Sequence, residues 1–227
     1  MTDYTLQVTF NSPTLIGSGE GFGATIDTDI VFDEVGLPYV PAKRVKGCLR
    51  DAVLEVCEMF DRANMKYYQP LQKQIVLTFG SPGEEHSAPV YFSNLTIAKY
   101  EENKAWIAYF IRQEAYSGML SRERILETFT EIRQQTAINK DDGVAKPHSL
   151  RTIRVLKKGF AFSGTLTIDD DSHHANILTT LLLACANFRA VGTKRNRGFG
   201  EVRCVLLDKH EQELSIQDRW EAIQNYV

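Results

Sequence analysis

Asp27 and Asp29 stand two residues apart and alternate with Ile26, Thr28 and Ile30. In an extended chain they share one face, about 7 Å apart at roughly 3.3 Å per residue. Beside a bound polyanion, such a carboxylate can hold a divalent ion or orient a reacting hydroxyl. The plainer reading of the pattern is a solvated polar edge. Two basic segments suggest where a polyanion would lie. In Pro41-Ala42-Lys43-Arg44-Val45-Lys46-Gly47, Lys43, Arg44 and Lys46 fall in the first turns of an expected helix, with Arg50 one turn further. The helix macrodipole disfavours cations there by some tenths of a kcal/mol each, so a bound anion would resolve the conflict. The second segment runs from Gly192 to Gly200 and holds Lys194, Arg195 and Arg197 among Gly192, Gly198 and Gly200. Glycines permit φ > 0 and close backbone approach, and successive amides in such a loop form a cradle for phosphate. Alone, the glycine loop reads as a solvated basic turn, whereas the cations at the helix start favour a bound phosphate; together they point to a nucleic-acid backbone.

Other chemistries fit less well. Gly17-Ser18-Gly19-Glu20-Gly21-Phe22-Gly23 has Phe22 where a G-x-G-x-x-G dinucleotide fingerprint needs glycine. A flexible loop allowing close approach at Gly19 is the better reading. Arg197 to Cys204 half-matches the RNA-recognition-motif octamer but has Glu201 and Cys204 where stacking aromatics belong. The cysteines Cys48, Cys57, Cys185 and Cys204 form no C-x-x-C pair, which argues against a zinc ribbon. His173 and His174 are adjacent and point apart on a helix, and His148 is a lone loop histidine. The net charge of −3 excludes a protein that coats nucleic acid over its whole surface, but permits a focused groove. With neither a secretory signal nor an apolar run near the roughly 20 residues of a membrane span, a soluble cytoplasmic chain with no membrane partner is expected.

The elements that must position these residues follow from periodicity. A strand is expected over 4–10, with Leu6, Val8 and Phe10 on one face, and extended segments over 24–32 and 90–98. Val45, Cys48, Leu49, Ala52, Val53 and Val56 predict a helix over about 42–58. Residues 60–78 carry no clear period. Helices are expected over 106–116 and 121–135, the latter with Ile125, Leu126, Phe129 and Ile132 on one side. A polar loop or hairpin around Asp142-Gly143 follows between Ile138 and Leu150. Residues 152–168 alternate like strands. Asp171-Ser172 is expected to cap a helix containing Ile177, Leu178, Leu181, Leu182, Cys185 and Phe188; a strand over 200–207 and a short helix from Ser215 close the chain. Interrupted by insertions, this is the β-α-β-β-α-β order of an α+β, ferredoxin-like fold.

Several segments, in order, resemble the RAMP superfamily of CRISPR-associated proteins, in particular the repeating backbone subunit of type III (Csm/Cmr) interference complexes. They are Ile16-Gly17-Ser18-Gly19; Ala24-Thr25-Ile26-Asp27 followed by Gly36-Leu37-Pro38-Tyr39-Val40-Pro41-Ala42-Lys43-Arg44-Val45-Lys46-Gly47-Cys48-Leu49-Arg50, similar to the family's IPGSSLKGxLR helix entry; Phe79-Gly80-Ser81-Pro82 with Val90-Tyr91-Phe92-Ser93; and Arg189 to Gly200. The resemblance implies a single RAMP domain. Its palm, a modified RNA-recognition-motif fold, would comprise about 3–58, 90–99 and 152–208. Helical segments and a thumb-like hairpin would be inserted at about 100–151, with 138–150 as the thumb candidate. It also implies a guide-RNA-binding surface containing Gly19, Lys43, Arg44, Lys46, Arg50, Gly192, Lys194, Arg195, Arg197 and Gly198. A thumb bearing Asn139, Lys140, Lys146, His148 and Arg151 would splay the guide–target duplex.

By the same resemblance Asp27 matches the aspartate of catalytic members. That residue supports cleavage of target RNA by attack of the ribose 2′-hydroxyl, with a divalent cation (Mg²⁺ or Mn²⁺) held there. Partners would be guide RNA, complementary target RNA, other RAMP subunits, the large subunit and further copies of this chain. Ala42-Lys43 departs from the usual Gly-Ser-Ser, and Asp29 stands where many members carry a small residue or proline. Two alternatives stay open: a non-catalytic structural subunit, and a guide-processing endonuclease relying on His148, which the lack of a second well-placed histidine disfavours.

Overall fold

A computed structural model describes residues 1–19, 26–81, 88–116, 119–139 and 143–219, without the side chains of Asn196 and Arg219. β1 (Thr2–Phe10) buries Tyr4, Leu6, Val8 and Phe10 on one face, as its alternation requires. It lies at the centre of a four-stranded antiparallel sheet with β2 (Val90–Phe92), β5 (Ala161–Ile168) and β6 (Val202–Leu207), in the order β2-β5-β1-β6. Helices α1 (Ala42–Arg62), α2 (Tyr68–Phe79) and α5 (His174–Asn187) pack against one another. With the sheet's inner face they form the main core, in which Leu49, Val53, Phe162 and Leu181 are fully buried. This is the expected ferredoxin-like arrangement.

The α1 stripe includes the predicted Val45, Leu49, Ala52 and Val53, but its fifth buried residue is Cys57, while Cys48 and Val56 are only half-buried. α2 has no counterpart in the sequence reading; its Pro70 lies in the first turn, where a missing N–H costs nothing. Residues 90–98 form only the short β2, followed by isolated bridges from Leu95 to Val40 and from Thr96 to Ser163.

The inserted region differs most. α3 (Tyr100–Ile111) begins earlier than expected. The helix expected over 121–135 is two elements: α4 (Arg122–Phe129), capped by the Ser121 side chain, and β3 (Thr130–Gln135). β3 pairs antiparallel with β4 (Arg151–Leu156), from Thr130 opposite Leu156 to Gln135 opposite Arg151. Ile132 is consequently exposed rather than on a buried helical stripe. The two strands are the arms of a hairpin whose far end contains the described residues 138–139 and 143–150, and Arg151–Leu156 belongs to this hairpin, not to the four-stranded sheet. A second, smaller core of Leu15, Ile30, Leu126, Ile153 and Val155, flanked by Phe32 and Phe199, fixes the hairpin base to the rest of the fold.

At the start of α5, Asp170 rather than Asp171 or Ser172 supplies the acceptor: its Oδ1 receives the Ser172 and His173 amides. The Ser172 hydroxyl, the His173 amide and the His173 ring, in that order, hold the Asp170 pKa down to about 2. At the other end, Gln217–Arg219 forms one 3₁₀ turn, and residues beyond it lie outside the described set.

Candidate nucleic-acid interface

α1 starts without a side-chain cap and without an acidic residue in its first turn. Its Ala42 amide donates to Asn94 Oδ1 at 2.9 Å, so that donor is already used within the protein and the expected amide cradle is reduced. The cations are disposed differently from one another. Lys43 is exposed, Lys46 and Arg50 are half-buried, and Arg44 donates to the Gly17 carbonyl at 2.9 Å. Gly17 in turn pairs with Ile30, and the Ser18 amide donates to the Asp29 carbonyl at 2.8 Å. Arg44 therefore ties the helix start to the segment that carries both aspartates.

The glycine loop is fixed by the same logic of close approach. A Cβ on Gly192 would lie 2.3 Å from the Leu15 carbonyl oxygen, and one on Gly200 would lie 2.1 Å from that of Val191. Both residues have positive φ, so glycine is required twice over. The amides of Val191, Thr193, Arg197 and Gly200 donate to the carbonyls of Gly200, Leu15, Lys194 and Pro13. Four amides are thus used internally, and the loop offers anions mainly its side chains. Arg195 and Arg197 are exposed, whereas Lys194 turns back to donate to Gln135 Oε1 at the end of β3. Burial, with Arg197 nearby, lowers the Lys194 pKa.

Between α1 and this loop lies an open cleft of about 960 Å³, lined on one wall by Cys48, Asp51 and Glu55 and on the other by Arg189, Lys194, Arg195 and Arg197. The wall formed by α1 is partly acidic. Glu55 accepts from Asn187 Nδ2 and faces Arg189 at 3.8 Å. The cations of this cleft therefore lie on its loop wall, and Lys43, Arg44, Lys46 and Arg50 are not in its lining. A second open cleft, about 1130 Å³, has Asp33, Glu34, Lys104 and Arg122 in its lining. There Asp33 serves the fold, accepting from the Val35 and Leu37 amides and the Tyr100 hydroxyl.

Asp27 sits beside the first residues of β4, at the outer end of the β3–β4 pairing. Its Oδ2 accepts from the Thr152 amide at 2.7 Å and its Oδ1 from Arg151 Nη1 at 3.3 Å, while its own amide donates to the Thr152 carbonyl. The Thr152 amide is the largest influence holding its pKa below the ordinary value, with Arg151 adding to it, so the carboxyl is ionised at neutral pH. Its side chain is 39% exposed. Asp29 is not its equivalent, although the sequence pattern pairs them. The Asp29 side chain is 4% exposed, accepts from the Ile30 amide at 2.7 Å and meets Arg154 at 3.2 Å. Burial raises the Asp29 pKa despite Arg154. The chain at 27–29 runs parallel to β4 through a Thr28–Ile153 bridge, and the side chains of Arg151 and Arg154 hold one aspartate each.

These contacts close a circuit. Asp27 meets Arg151, Arg151 pairs across the hairpin with Gln135, Gln135 accepts from Lys194, and Lys194 and Arg195 share a cleft with α1, whose Arg44 returns to Gly17 beside Asp29. Gln135 and Asn94 are participants that the sequence does not reveal, since their partners lie 59 and 52 residues away.

Further out on the hairpin, Asn139 bonds Val144 and Gly143 through the backbone, the Lys146 amide donates to Ala137, and Lys146 and His148 are exposed. His148 adopts a left-handed turn conformation; Lys140 lies outside the described residues. Gly19 and Gly198 have positive φ and open space where a Cβ would be. His173 and His174 serve the fold, bonding Asp170 and the Tyr4 hydroxyl. All four cysteines are free.

Among the described residues no group of three or more His, Cys, Asp or Glu could hold a metal ion. The donor set at Asp27 is one carboxylate. It suits a hard cation whose remaining ligands are water and phosphate oxygens, and not a cage built from protein alone.

The model of the RAMP superfamily matches residues 7–203. No curated protein sequence matches. Among solved structures, a chain from the cryo-EM structure of the type III-B Cmr-beta bound to cognate target RNA is 12% identical, with a TM-score of 0.67, and the match covers 100% of this chain and 99% of that one. A chain from the apo-state structure of type III-B Cmr-beta is 14% identical, with a TM-score of 0.64, covering 92% and 98%. At these identities the likeness is one of fold.

Proposed function

The chain belongs to the RAMP superfamily, and we propose that it is a guide-RNA-binding backbone subunit of a type III CRISPR effector complex that cleaves guide-paired target RNA at Asp27. The observation that carries this reading is the circuit just described. Lys194, Arg195 and Arg197 line a cleft beside α1, Lys194 reaches Gln135 opposite Arg151 and so the place where Asp27 is held, and Arg44 at the start of α1 bonds Gly17 in the segment leading to the aspartates. A structure in which Asp27 lay on a remote edge would have argued for binding alone. The fold likeness to chains of type III-B Cmr-beta, one of them in a structure with target RNA, is consistent with it.

In this reading Arg44, Lys46, Arg195 and Arg197, with Lys43 and Arg50 nearby, neutralise phosphates of the guide, and Gly19 and Gly198 let its backbone approach. The hairpin with Asn139, Lys140, Lys146 and His148 parts the guide from the target, whose exposed linkage then lies beside Asp27. Bases are read by pairing with the guide, as in other guided effectors. A carboxylate with a lowered pKa is a weak proton acceptor. Asp27 therefore orients the 2′-hydroxyl or holds a cation rather than acting as a strong base. A Mg²⁺ or Mn²⁺ ion held by Asp27 and RNA phosphate would supply charge stabilisation at the reacting phosphate. Partners are guide RNA, target RNA, other RAMP subunits, the large subunit and further copies of the chain. No helix of the described residues is long and apolar enough to cross a membrane.

The test is Asp27→Asn in the assembled, guide-loaded complex. Loss of target cleavage with guide and target binding unchanged supports the reading. Cleavage retained at every site would leave a structural RNA-binding subunit.

A further inference from the structure

The geometry points to Arg151 as a second catalytic residue, one that holds Asp27 through one guanidinium nitrogen and presents its remaining N–H groups to the scissile phosphate of the target RNA. This rests on the reading that Asp27 marks the cleavage site. Arg151 is the first residue of β4, 64% exposed, and its contact with Asp27 is made through Nη1 at 3.3 Å. The Thr152 amide takes the other carboxylate oxygen at 2.7 Å, so the aspartate would stay in place without Arg151. The guanidinium is therefore more than a prop. Arg154, three residues on, makes the contrast: it is 11% exposed and held against buried Asp29 at 3.2 Å, as a structural ion pair should be. A planar fork with one nitrogen on a carboxylate and an open edge is suited to a phosphate oxygen.

The chemistry it would assist is a transesterification. The 2′-oxygen forms a bond to the adjacent phosphorus and its proton passes to solvent. The bond from phosphorus to the 5′-oxygen breaks, and that oxygen takes a proton from water. The products are a 2′,3′-cyclic phosphate and a 5′-hydroxyl, with no redox change. Negative charge accumulates on the non-bridging oxygens as the new bond forms, and a fixed guanidinium beside them stabilises that state more than the ground state.

The experiment compares Arg151→Met, Arg151→Lys and Asp27→Asn in the guide-loaded complex under single-turnover conditions. The substrates are an ordinary target RNA and the two stereoisomers carrying one phosphorothioate at the scissile linkage. Arg151→Met is expected to slow cleavage by ~10²–10³-fold, the range for loss of one transition-state donor, with Arg151→Lys between it and the parent. One phosphorothioate isomer is expected to slow the parent and to have no additional effect on Arg151→Met, which a purely structural role would not produce. If Asp27→Asn abolishes cleavage while Arg151→Met keeps the parental rate and isomer preference, the role of Arg151 is refuted and the Asp27 reading stands. If Asp27→Asn cleaves normally, the reading beneath it has failed instead.

Discussion

Arg154→Met should unfold this protein far more easily than its distance from the proposed chemistry suggests, and acid should partly reverse the damage. The Asp29 carboxylate is 4% exposed and pairs with Arg154, itself 11% exposed, at 3.2 Å. Removing the cation leaves a buried, uncompensated charge, at a cost of about 3–5 kcal/mol. Against a typical stability of about 5–15 kcal/mol this is a large fraction, and it corresponds to a fall in Tm of roughly 6–20 °C for a chain of this size. The sign with pH follows from linkage. Burial already raises the Asp29 pKa in the folded protein, and losing Arg154 raises it further. Between the ordinary carboxyl value and the folded value the native state binds more protons than the unfolded state, so stability falls as pH rises through that window. The Arg154→Met deficit should therefore shrink as pH is lowered from 8 toward 5, by up to about 1.4 kcal/mol per unit across the window. Urea unfolding at several pH values, with the m-value held constant, measures it, and Asp29→Asn/Arg154→Met should recover much of the loss at pH 8. A variant as stable as the parent, or a deficit equal at pH 8 and pH 5, would refute the claim that this pair clamps the Asp27 segment to β4.

Three further outcomes follow from the site. Arg195→Glu should weaken RNA binding and flatten its dependence on salt by about one unit of log–log slope, since one phosphate contact and its counterion release are lost; fluorescence anisotropy from 50 to 300 mM salt is the assay. Gly200→Ala places a Cβ 2.1 Å from the Val191 carbonyl oxygen in a residue with positive φ, so it should destabilise by about 1–3 kcal/mol and reduce RNA binding, read by thermal unfolding and titration. The Thr152 amide and Arg151 keep Asp27 ionised below its ordinary value, so the ratio of parental to Asp27→Asn cleavage rates should stay constant from about pH 8 to about pH 5. A ratio that falls with a midpoint above the ordinary aspartate value would contradict the described contacts.

Local pattern made much of the palm legible. β1 shows its buried face in its own alternation, α5 is buried continuously from Ile177 to Cys185 rather than along one stripe, and the two basic segments stand out because their charge opposes the chain average and, in α1, the helix dipole. The misses in the hairpin and at the site share one cause, partners far away in sequence. Glu131-Ile132-Arg133-Gln134 suits a helix as well as a strand, and it is the pairing with 151–156 that makes it β3. Asp27 and Asp29 look alike in an alternating segment; only Arg154, 125 residues away, makes Asp29 a buried clamp. The joining of the glycine loop to the hairpin runs through Gln135, whose residue type carries no functional signal.

In the proposed function RNA lies in the cleft between α1 and the glycine loop and reaches the outer end of the β3–β4 pairing beside Asp27, not the open face of the sheet, where an ordinary RNA-recognition motif would hold it. That face carries Thr5, Gln7, Thr165 and Val205 along its central and far strands, with Tyr91 of the edge strand β2 as its exposed aromatic. Photo-crosslinking of the guide-loaded protein, with the modified peptides identified by mass spectrometry, tests this most directly. Crosslinks concentrated in residues 43–50, 192–198 and 135–151 are predicted. Crosslinks confined to β1, β5 and β6 would contradict the account.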